Sequence, residues 1–548
     1  MEVIYFLNVR RTLFMKFLRV VLLTLLLGIA FLPAQAPVLG SGLSFRDLDG
    51  SYAKEAIISL TEKNIMKGTS ASTFSPAQSI TRAEFLVTLN RLLGLESISS
   101  AVASYKDVKP SDWYYSAIQA ATGAGLTEGL GGGRFVPKNA LTRQEAAIWL
   151  QKITGTSSAS SADIQRLEFR DHAAISSWAS GAVYAMAKLQ LMQGNEGKFE
   201  PQRALSRQET AVILDRLLQN TVWSSKLAAK VPDRVQLGWQ YQQSNAEFEQ
   251  SVLSSNVNVL SPRWFFLDAD GGISDSGSSE LVSWAHQHGK KVWAMFGNRL
   301  NQENTKALLA SPAKTSAAIT KVVQLAQKYG LDGINLDFEN VAPANRKAFT
   351  SFVTELAKQL HDKDITLSVD VSPDLGTDWT EAFDYAAIGK QADYVVLMGY
   401  DEHWSGGEAG PVASLPWVQS GLDTLLEEVE ASKVILGMPL YTRDWTVNPS
   451  GAAQSSEDLR LGEQTQRVST FGLRPSWNSK LGQYVASYVS GGKTHQIWLE
   501  DSRSLSSKYS MALERDVAGF AYWHIGGETS DIWPALRNAA KYHALKQP

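Results

Sequence analysis

The sequence predicts two architectures in one chain of 548 residues: an all-α domain of three helix-turn-helix repeats, then a (β/α)8 barrel with an α+β insertion before its last strand. The first observation behind this is a sequence frame that recurs three times before residue 220. The second is the alternation of short apolar runs with amphipathic helical stretches from residue 233 onward. The third is composition. With 44% apolar and 20% charged residues the chain has the make-up of a globular protein, which excludes wholesale disorder and collagen-like repeats.

The first element is an export signal over 1–40. Val20–Leu32 is a short apolar run preceded by Arg10, Arg11, Lys16 and Arg19 and followed by Ala34-Gln35-Ala36, the order of a secretory signal peptide. A spanning helix needs about 20 apolar residues, so no membrane span is expected after its removal. Met15 followed by Lys16 reads as a second candidate start beside Met1. The chain has no cysteine, which excludes disulfides, zinc–thiolate sites, iron–sulfur clusters and a thiol nucleophile. A formal net charge of -3 gives no general field for nucleic acid. Glu402 and His403 are a candidate metal pair with no second cluster to support them, and neither a metal nor another cofactor is expected. Sixteen Trp and 17 Tyr exceed what a core of this size needs, and flat amphipathic rings suit stacking on sugars.

The repeats span 43–98, 103–156 and 165–220. Each opens on an aromatic-x-Asp (Phe45/Asp47, Tyr105/Asp107, Phe169/Asp171) and passes a glycine (Gly68, Gly129, Gly194). Each then reaches Phe-x-Pro and, five residues after the proline, Thr/Ser-Arg-x-Glu at 81–84, 142–145 and 206–209. That last motif is a capping box, with the hydroxyl on the third amide of the helix and the glutamate reaching back to the cap. It leaves the arginine unexplained, because a cation in the first turn opposes the helix dipole by roughly 0.3–1 kcal/mol. Arg82, Arg143 and Arg207 are therefore candidate anion sites, with incidental surface arginines as the plain alternative.

The frame FRDLDG…FSPAQSITRAEF resembles the S-layer homology module over about residues 43–220. The resemblance implies non-covalent attachment to an anionic, often pyruvylated, secondary cell-wall polysaccharide. It also implies that Arg82, Arg143, Arg207, Asp47, Asp107, Asp171, Trp113 and Trp178 contact that polymer. The first repeat has Tyr52 where the others have tryptophan.

A linker is expected at 221–232, and the barrel over 233–545. Its eight strands are read from RVQLGWQ, NVLSPRWFFL, KVWAMFG, GINLDFE, ITLSVDVS, YVVLMGY, VILGMPLY and GFAYW, with helical stretches such as TSAAITKVVQLAQKYG between them. The long gap around 445–515 holds strand-like pieces and reads as the insertion.

The chemistry lies on the fourth run. Along 331–339 Ile334, Leu336 and Phe338 face one way, and Asn335, Asp337 and Glu339 the other. Parallel barrel strands are normally apolar on both faces, so a polar face ending at the strand's C-terminal edge marks the pole where barrel enzymes keep their sites. Arg443 aside, no basic residue is expected to face inward near that end, which argues against a structural ion-pair network. Two carboxyls at adjacent same-face positions share a small volume, so a pKa should rise and one should hold a proton. A pair at i and i+2 cannot flank a sugar from opposite sides at about 5 Å, as two-carboxylate glycosidases require. The alternative is a nucleophile supplied by the substrate, a 2-acetamido oxygen.

DGINLDFE resembles the DGxDxDxE signature of glycoside hydrolase family 18, with the resemblance extending over most of 232–540. The family likeness implies that Glu339 is general acid and then base, and that Asp337 orients the acetamido group. It implies further that Tyr400 donates to that group's oxygen and Trp523 stacks under the sugar ring. Asn335, Met398, Asp401, Tyr441 and Arg443 would be further substrate-binding residues. Asn335 stands where many chitinases carry an aspartate, which resembles the spore-germination and cell-wall N-acetylglucosaminidase subgroup. The expectation is a secreted, surface-attached glycosidase that cuts β-1,4 bonds after N-acetylglucosamine in peptidoglycan with retention. A surface chitinase acting on chitin oligomers and a non-catalytic, lectin-like GlcNAc-polymer-binding barrel are the alternatives.

Overall fold

The computed structural model describes residues 45–156, 169–374, 376 and 379–547. The export segment expected at 1–40 and the opening of the third repeat before Phe169 lie outside the described residues. The chain divides into two compact units, one ending at Pro76 and one beginning at Ala77.

In the first unit helix Lys54–Glu62 buries Ala56, Ile57 and Leu60. Asp47 accepts the backbone N–H of Phe74 at 2.9 Å and of Ser75 at 2.7 Å. In the second unit Asp107 holds Phe135 and Val136 in this way, and Asp171 holds Phe199 and Glu200. The second residue of each pair is left-handed, with φ of 60° at Ser75, 58° at Val136 and 57° at Glu200. A two-toothed carboxylate clamp is what holds non-glycine residues in that sparsely allowed region.

The second unit carries helices Arg82–Leu93, Arg143–Thr154 and Arg207–Gln219, and each starts on the expected capping box. Bridges Ser79–Ser206, Thr81–Ala140 and Thr142–Ala204 join the segments just ahead of these helices. The three arginines are buried, at 3%, 6% and 5% exposure. Arg82 donates to Glu145 at 2.8 Å and to the Phe135 carbonyl, and Arg143 donates to Glu209 at 3.2 Å and to the Phe199 carbonyl. Arg207 lies 3.9 Å from Glu84. Each cation thus meets the capping glutamate of another repeat, so the counter-charge that the motif calls for is inside the chain.

The stretch expected as a linker opens instead with helix Thr221–Ala228. Asn220 caps it, and the buried Trp223 holds it down by donating to the Ile153 carbonyl at 3.4 Å. Helix Ile532–Lys546 also reaches the repeats. Arg537 pairs with Glu96 at 2.6 Å, Asn538 exchanges hydrogen bonds with the Glu96 backbone, and Tyr542 donates to the Lys152 carbonyl.

The barrel is built from β1 (Val235–Trp239), β2 (Val259–Ser261), β3 (Arg263–Leu267), β4 (Ile273–Asp275), β5 (Lys291–Gly297), β6 (Gly333–Asp337), β7 (Thr366–Val371), β8 (Tyr394–Met398) and β9 (Val434–Pro439). The last barrel strand follows an insertion of β10 (Tyr441–Val447), β11 (Ala453–Arg460), β12 (Ser476–Asn478), β13 (Gln483–Ser490) and β14 (Lys493–Leu499), and is β15 (Gly519–Trp523). Eight parallel strands close in the order β2-β1-β15-β9-β8-β7-β6-β5, with β2 pairing back onto β5. Pro262 interrupts the second barrel strand, and β3 resumes beside β5 and carries the antiparallel β4.

The insertion is an antiparallel sheet, β11-β10-β14-β13-β12. It begins at Tyr441, earlier than the 445 expected, because β10 starts two residues after β9 ends. Leu237, Trp239, Val259, Trp293, Met295, Val396, Ile435 and Ala521 fill the barrel interior. A larger apolar layer that includes Leu336, Phe338, Phe349 and Phe352 packs outside the strands. Among the described residues no helix is long and apolar enough to cross a membrane.

Candidate active site

The inward face of β6 carries Asn335, fully buried, and Asp337, 8% exposed, and Glu339 follows just past the strand end. Ile334, Leu336 and Phe338 are buried on the other face, as the alternation requires. Asn298 fixes the turn after β6. Its amide donates to the Glu339 carbonyl at 2.7 Å, and its oxygen accepts the Glu339 N–H at 3.1 Å.

Asn335 is held from all sides. Its oxygen accepts from Trp239 Nε1 at 2.8 Å and from the Ser261 hydroxyl at 3.0 Å. Its amide donates to Ser368 at 3.0 Å and to Asp370 at 2.6 Å. Asp370, on β7 and 2% exposed, is a third carboxyl of the site that the sequence reading missed. The signal was there, since ITLSVDVS carries a charge inside an apolar barrel strand, the same anomaly that singled out β6.

Burial pushes the Asp337 carboxyl up to about 8, with Asp370 adding to the effect and Arg263 opposing it. Burial likewise pushes Glu339 up to about 8, helped by Asp337 and Asp401 and again opposed by Arg263. Asp370 is raised by burial and by Glu339, against the pull of its hydrogen bond from Asn335. The cluster therefore holds protons at neutral pH and can deliver one to a leaving group. Tyr400 stays a hydroxyl, its pKa raised by burial and by Asp370, Asp337 and Glu339. A methyl group on Gly437 would sit 2.9 Å from the Leu397 carbonyl and 3.3 Å from the Tyr400 ring, so glycine is what lets β9 come close behind this tyrosine.

Arg263 corrects the expectation that only Arg443 could bring a cation to this pole. Its guanidinium lies 5.0 Å from the Tyr241 ring, 5.4 Å from Phe266 and 5.6 Å from Trp523. The break at Pro262 resets the strand and makes this position hard to read from alternation. Trp523, half-buried, sits 5.9 Å edge-on to Trp239 and 5.4 Å from Tyr241, forming an aromatic wall beside the carboxyls.

The remaining candidates fall into two groups. Tyr441 donates to Asp401 at 2.6 Å and Arg443 to the same oxygen at 2.7 Å, and Arg443 also pairs with Asp458. Tyr441 and Arg443 are buried, whereas the Asp401 side chain is 46% exposed. Met398 is buried at the end of β8. Glu402 is turned to other work, accepting both the N–H and the hydroxyl of Ser414. In the repeats Trp113 and Trp178 are 64% and 58% exposed, in contrast to the buried arginines.

Comparison with known proteins finds two families along the chain. Residues 235–528 match the family model described as Glycosyl hydrolases family 18. Residues 44–86, 104–147 and 168–211 match the S-layer homology domain. The chain is 29% identical over 296 residues to the uncharacterized glycosylase YvbX of Bacillus subtilis, covering 52% of this chain and 85% of that protein. It is 28% identical over 281 residues to the cortical fragment-lytic enzyme of Bacillus cereus, covering 49% of this chain and 64% of that enzyme. The fold matches the crystal structure of a chitinase from Chromobacterium violaceum with a TM-score of 0.52 at 24% identity, over 56% of this chain and 99% of the other.

Proposed function

The chain belongs to family 18 of the glycosyl hydrolases and carries three S-layer homology repeats, and from that premise we propose that it is a wall-tethered enzyme cutting peptidoglycan glycan strands after N-acetylglucosamine. S-layer homology domains bind cell-wall polysaccharide, and family 18 acts on polymers of N-acetylglucosamine. The peptidoglycan preference draws on likeness to the cortical fragment-lytic enzyme. Chitin is the competing substrate, as the fold shared with a chitinase keeps in view.

One observation carries the mechanism: Asp337 and Glu339 leave β6 on the same side, two residues apart, with proton affinity raised at both. They cannot stand on opposite sides of a sugar. In this reading Glu339 protonates the glycosidic oxygen, and the acetamido oxygen attacks the anomeric carbon from the far face. Asp337 holds the acetamido N–H, Tyr400 donates to its oxygen, and Trp523 supports the ring. Water, deprotonated by Glu339, then opens the oxazolinium ion and returns the proton to the carboxyl. Asn335, Met398, Asp401, Tyr441 and Arg443 shape the sugar pocket around these four.

For wall attachment, Trp113 and Trp178 make the direct contact with an anionic wall polymer in this reading. Arg82, Arg143, Arg207, Asp47, Asp107 and Asp171 hold the surface it meets. Export through the segment at 1–40 would deliver the chain to that wall. Mass spectrometry of the products from purified peptidoglycan and from chitin oligomers, run side by side, tests the substrate. Muropeptides ending in reducing N-acetylglucosamine, with slow chitin turnover, are expected. Fast chitin cleavage without release from peptidoglycan would assign the enzyme to chitin.

A further inference from the structure

The β6–β7 register pairs Asn335 with Ser368 and Leu336 with Val369, so the next step sets Asp337 level with Asp370. Both face the barrel interior, because Asn335, two residues before Asp337, hydrogen-bonds Ser368 and Asp370 through its side chain. Among the described residues no ion pair reaches Asp370. The charged and titratable groups that face it are Asp337 and Glu339 from β6 and its following turn and Tyr400 from the end of β8, with Arg263 of β3 acting on the two β6-side carboxyls.

The amide of Asn335 cannot be turned around. Trp239 Nε1 only donates, so the atom it meets must be the Asn335 oxygen, and the Asn335 N–H groups must face Ser368 and Asp370. An amide acceptor at 370 would satisfy that N–H equally well. A carboxyl buried without a cation is costly unless it carries a proton or the site makes use of its charge. Its place level with Asp337 says what that use is.

We propose that Asp370 is a positioning residue for the glycosidase reaction, sharing one proton with Asp337 so that Asp337 can ionise while Asp370 stays neutral. No covalent bond changes at this pair and the proton stays within it. The proton rests on Asp370 while Asp337 faces the developing oxazolinium charge, and it is free to move back once water has opened that ion. Asn335 fits this arrangement because it is neutral and donates to Asp370, whereas a carboxylate at 335 would meet a second one at hydrogen-bond distance. This inference rests on the family 18 reading of the site, so one arm of its test needs no turnover.

That arm is infrared spectroscopy of aspartate-labelled full-length protein at pH 7, comparing wild type with Asp370→Asn. The substitution should move the band of the carboxyl that remains, Asp337, because the proton it shared is no longer divided between two groups. A difference spectrum that shows only the loss of one carboxyl band, with nothing else moved, overturns the proposal. The other arm is kinetics on whichever of peptidoglycan or chitin oligomers the wild type cleaves. Asp370→Asn should lower kcat by roughly 10²-fold with KM little changed and should shift the pH–rate profile. The exchanged pair Asn335→Asp with Asp370→Asn should recover much of that loss, and Asn335→Asp alone should not. Wild-type kcat and profile in Asp370→Asn overturn the proposal. If that variant does not fold, Asp370→Ser, which keeps an acceptor, gives the same two readouts. A wild type that cleaves neither polymer contradicts the family reading, while the infrared result still decides for or against the shared proton.

Discussion

Asn298 grips Glu339 by both of its main-chain groups, donating to the carbonyl at 2.7 Å and accepting the N–H at 3.1 Å. Asn298 is itself buried and donates to Thr305 at 2.8 Å, so Glu339, the proposed acid, is held by a side chain one strand away, at the end of β5. Asn298→Ala should lower kcat by roughly 10²-fold by letting the turn drift, with a smaller change in KM. It should also cost about 1–3 kcal/mol of stability, because two backbone groups lose their partner. Unchanged kcat in a folded Asn298→Ala enzyme would show that the turn holds without it.

The proton inventory of the site sets its pH behaviour. Asp337 and Glu339 are each pushed up to about 8 by burial, so the acid is lost and activity should fall as pH rises through that value. Stability follows the same sign. The native pKa of Asp337 lies above the unfolded value of about 4, so its contribution is full below pH ~4 and is lost as pH rises toward about 8. Asp337→Asn should therefore raise the melting temperature at pH 8 and change it little at pH 4, while abolishing most turnover. A Tm gain independent of pH would contradict the buried-proton picture.

Arg263 is the cation that opposes both shifts while lying against Tyr241, Phe266 and Trp523. Arg263→Met keeps the stacking bulk and removes the charge. It should move the alkaline limb of the pH–rate profile upward, since the carboxyls lose the group that stabilises their ionised forms. Arg263→Lys should move it less. An unmoved limb in Arg263→Met would place the charge outside the titration.

In the repeats the two kinds of substitution should separate. Arg82→Ala removes the 2.8 Å partner of the partly exposed Glu145 and the donor to the Phe135 carbonyl, a loss of about 1–3 kcal/mol. Its main effect should be a lower melting temperature of the full chain. Trp113→Ala and Trp178→Ala, at exposed rings, should leave melting unchanged and reduce pelleting with purified walls. Full pelleting by the double tryptophan variant would move the wall contact elsewhere.

These predictions use parts of the molecule that differ in how far the sequence reveals them. Local relationships were legible. The capping boxes at Thr81, Thr142 and Ser206 and the alternation through Asn335, Asp337 and Glu339 are set by neighbours within four residues, and the structure has them all. Relationships between distant segments were not. Nothing in the first repeat says that Arg82 will meet Glu145, or that Glu96 will meet Arg537 across most of the chain. Thr221–Ala228 looks polar enough to be a linker, and becomes a helix because Trp223 finds a buried seat against Ile153. Asp370 was legible as a charge inside an apolar strand, but its partner Asn335 lies on a different strand, and Arg263 was hidden by the proline that breaks its strand.

The central claim is that the nucleophile belongs to the substrate, and proton NMR of the anomeric signal during the first minutes of cleavage tests it most directly. With Glu339 as acid and base and Asp337 on the acetamido group, the first reducing ends released should be β, with the α anomer growing only by mutarotation. Reducing ends that appear first as α would contradict substrate assistance and make the site an inverting one in which water attacks the anomeric carbon.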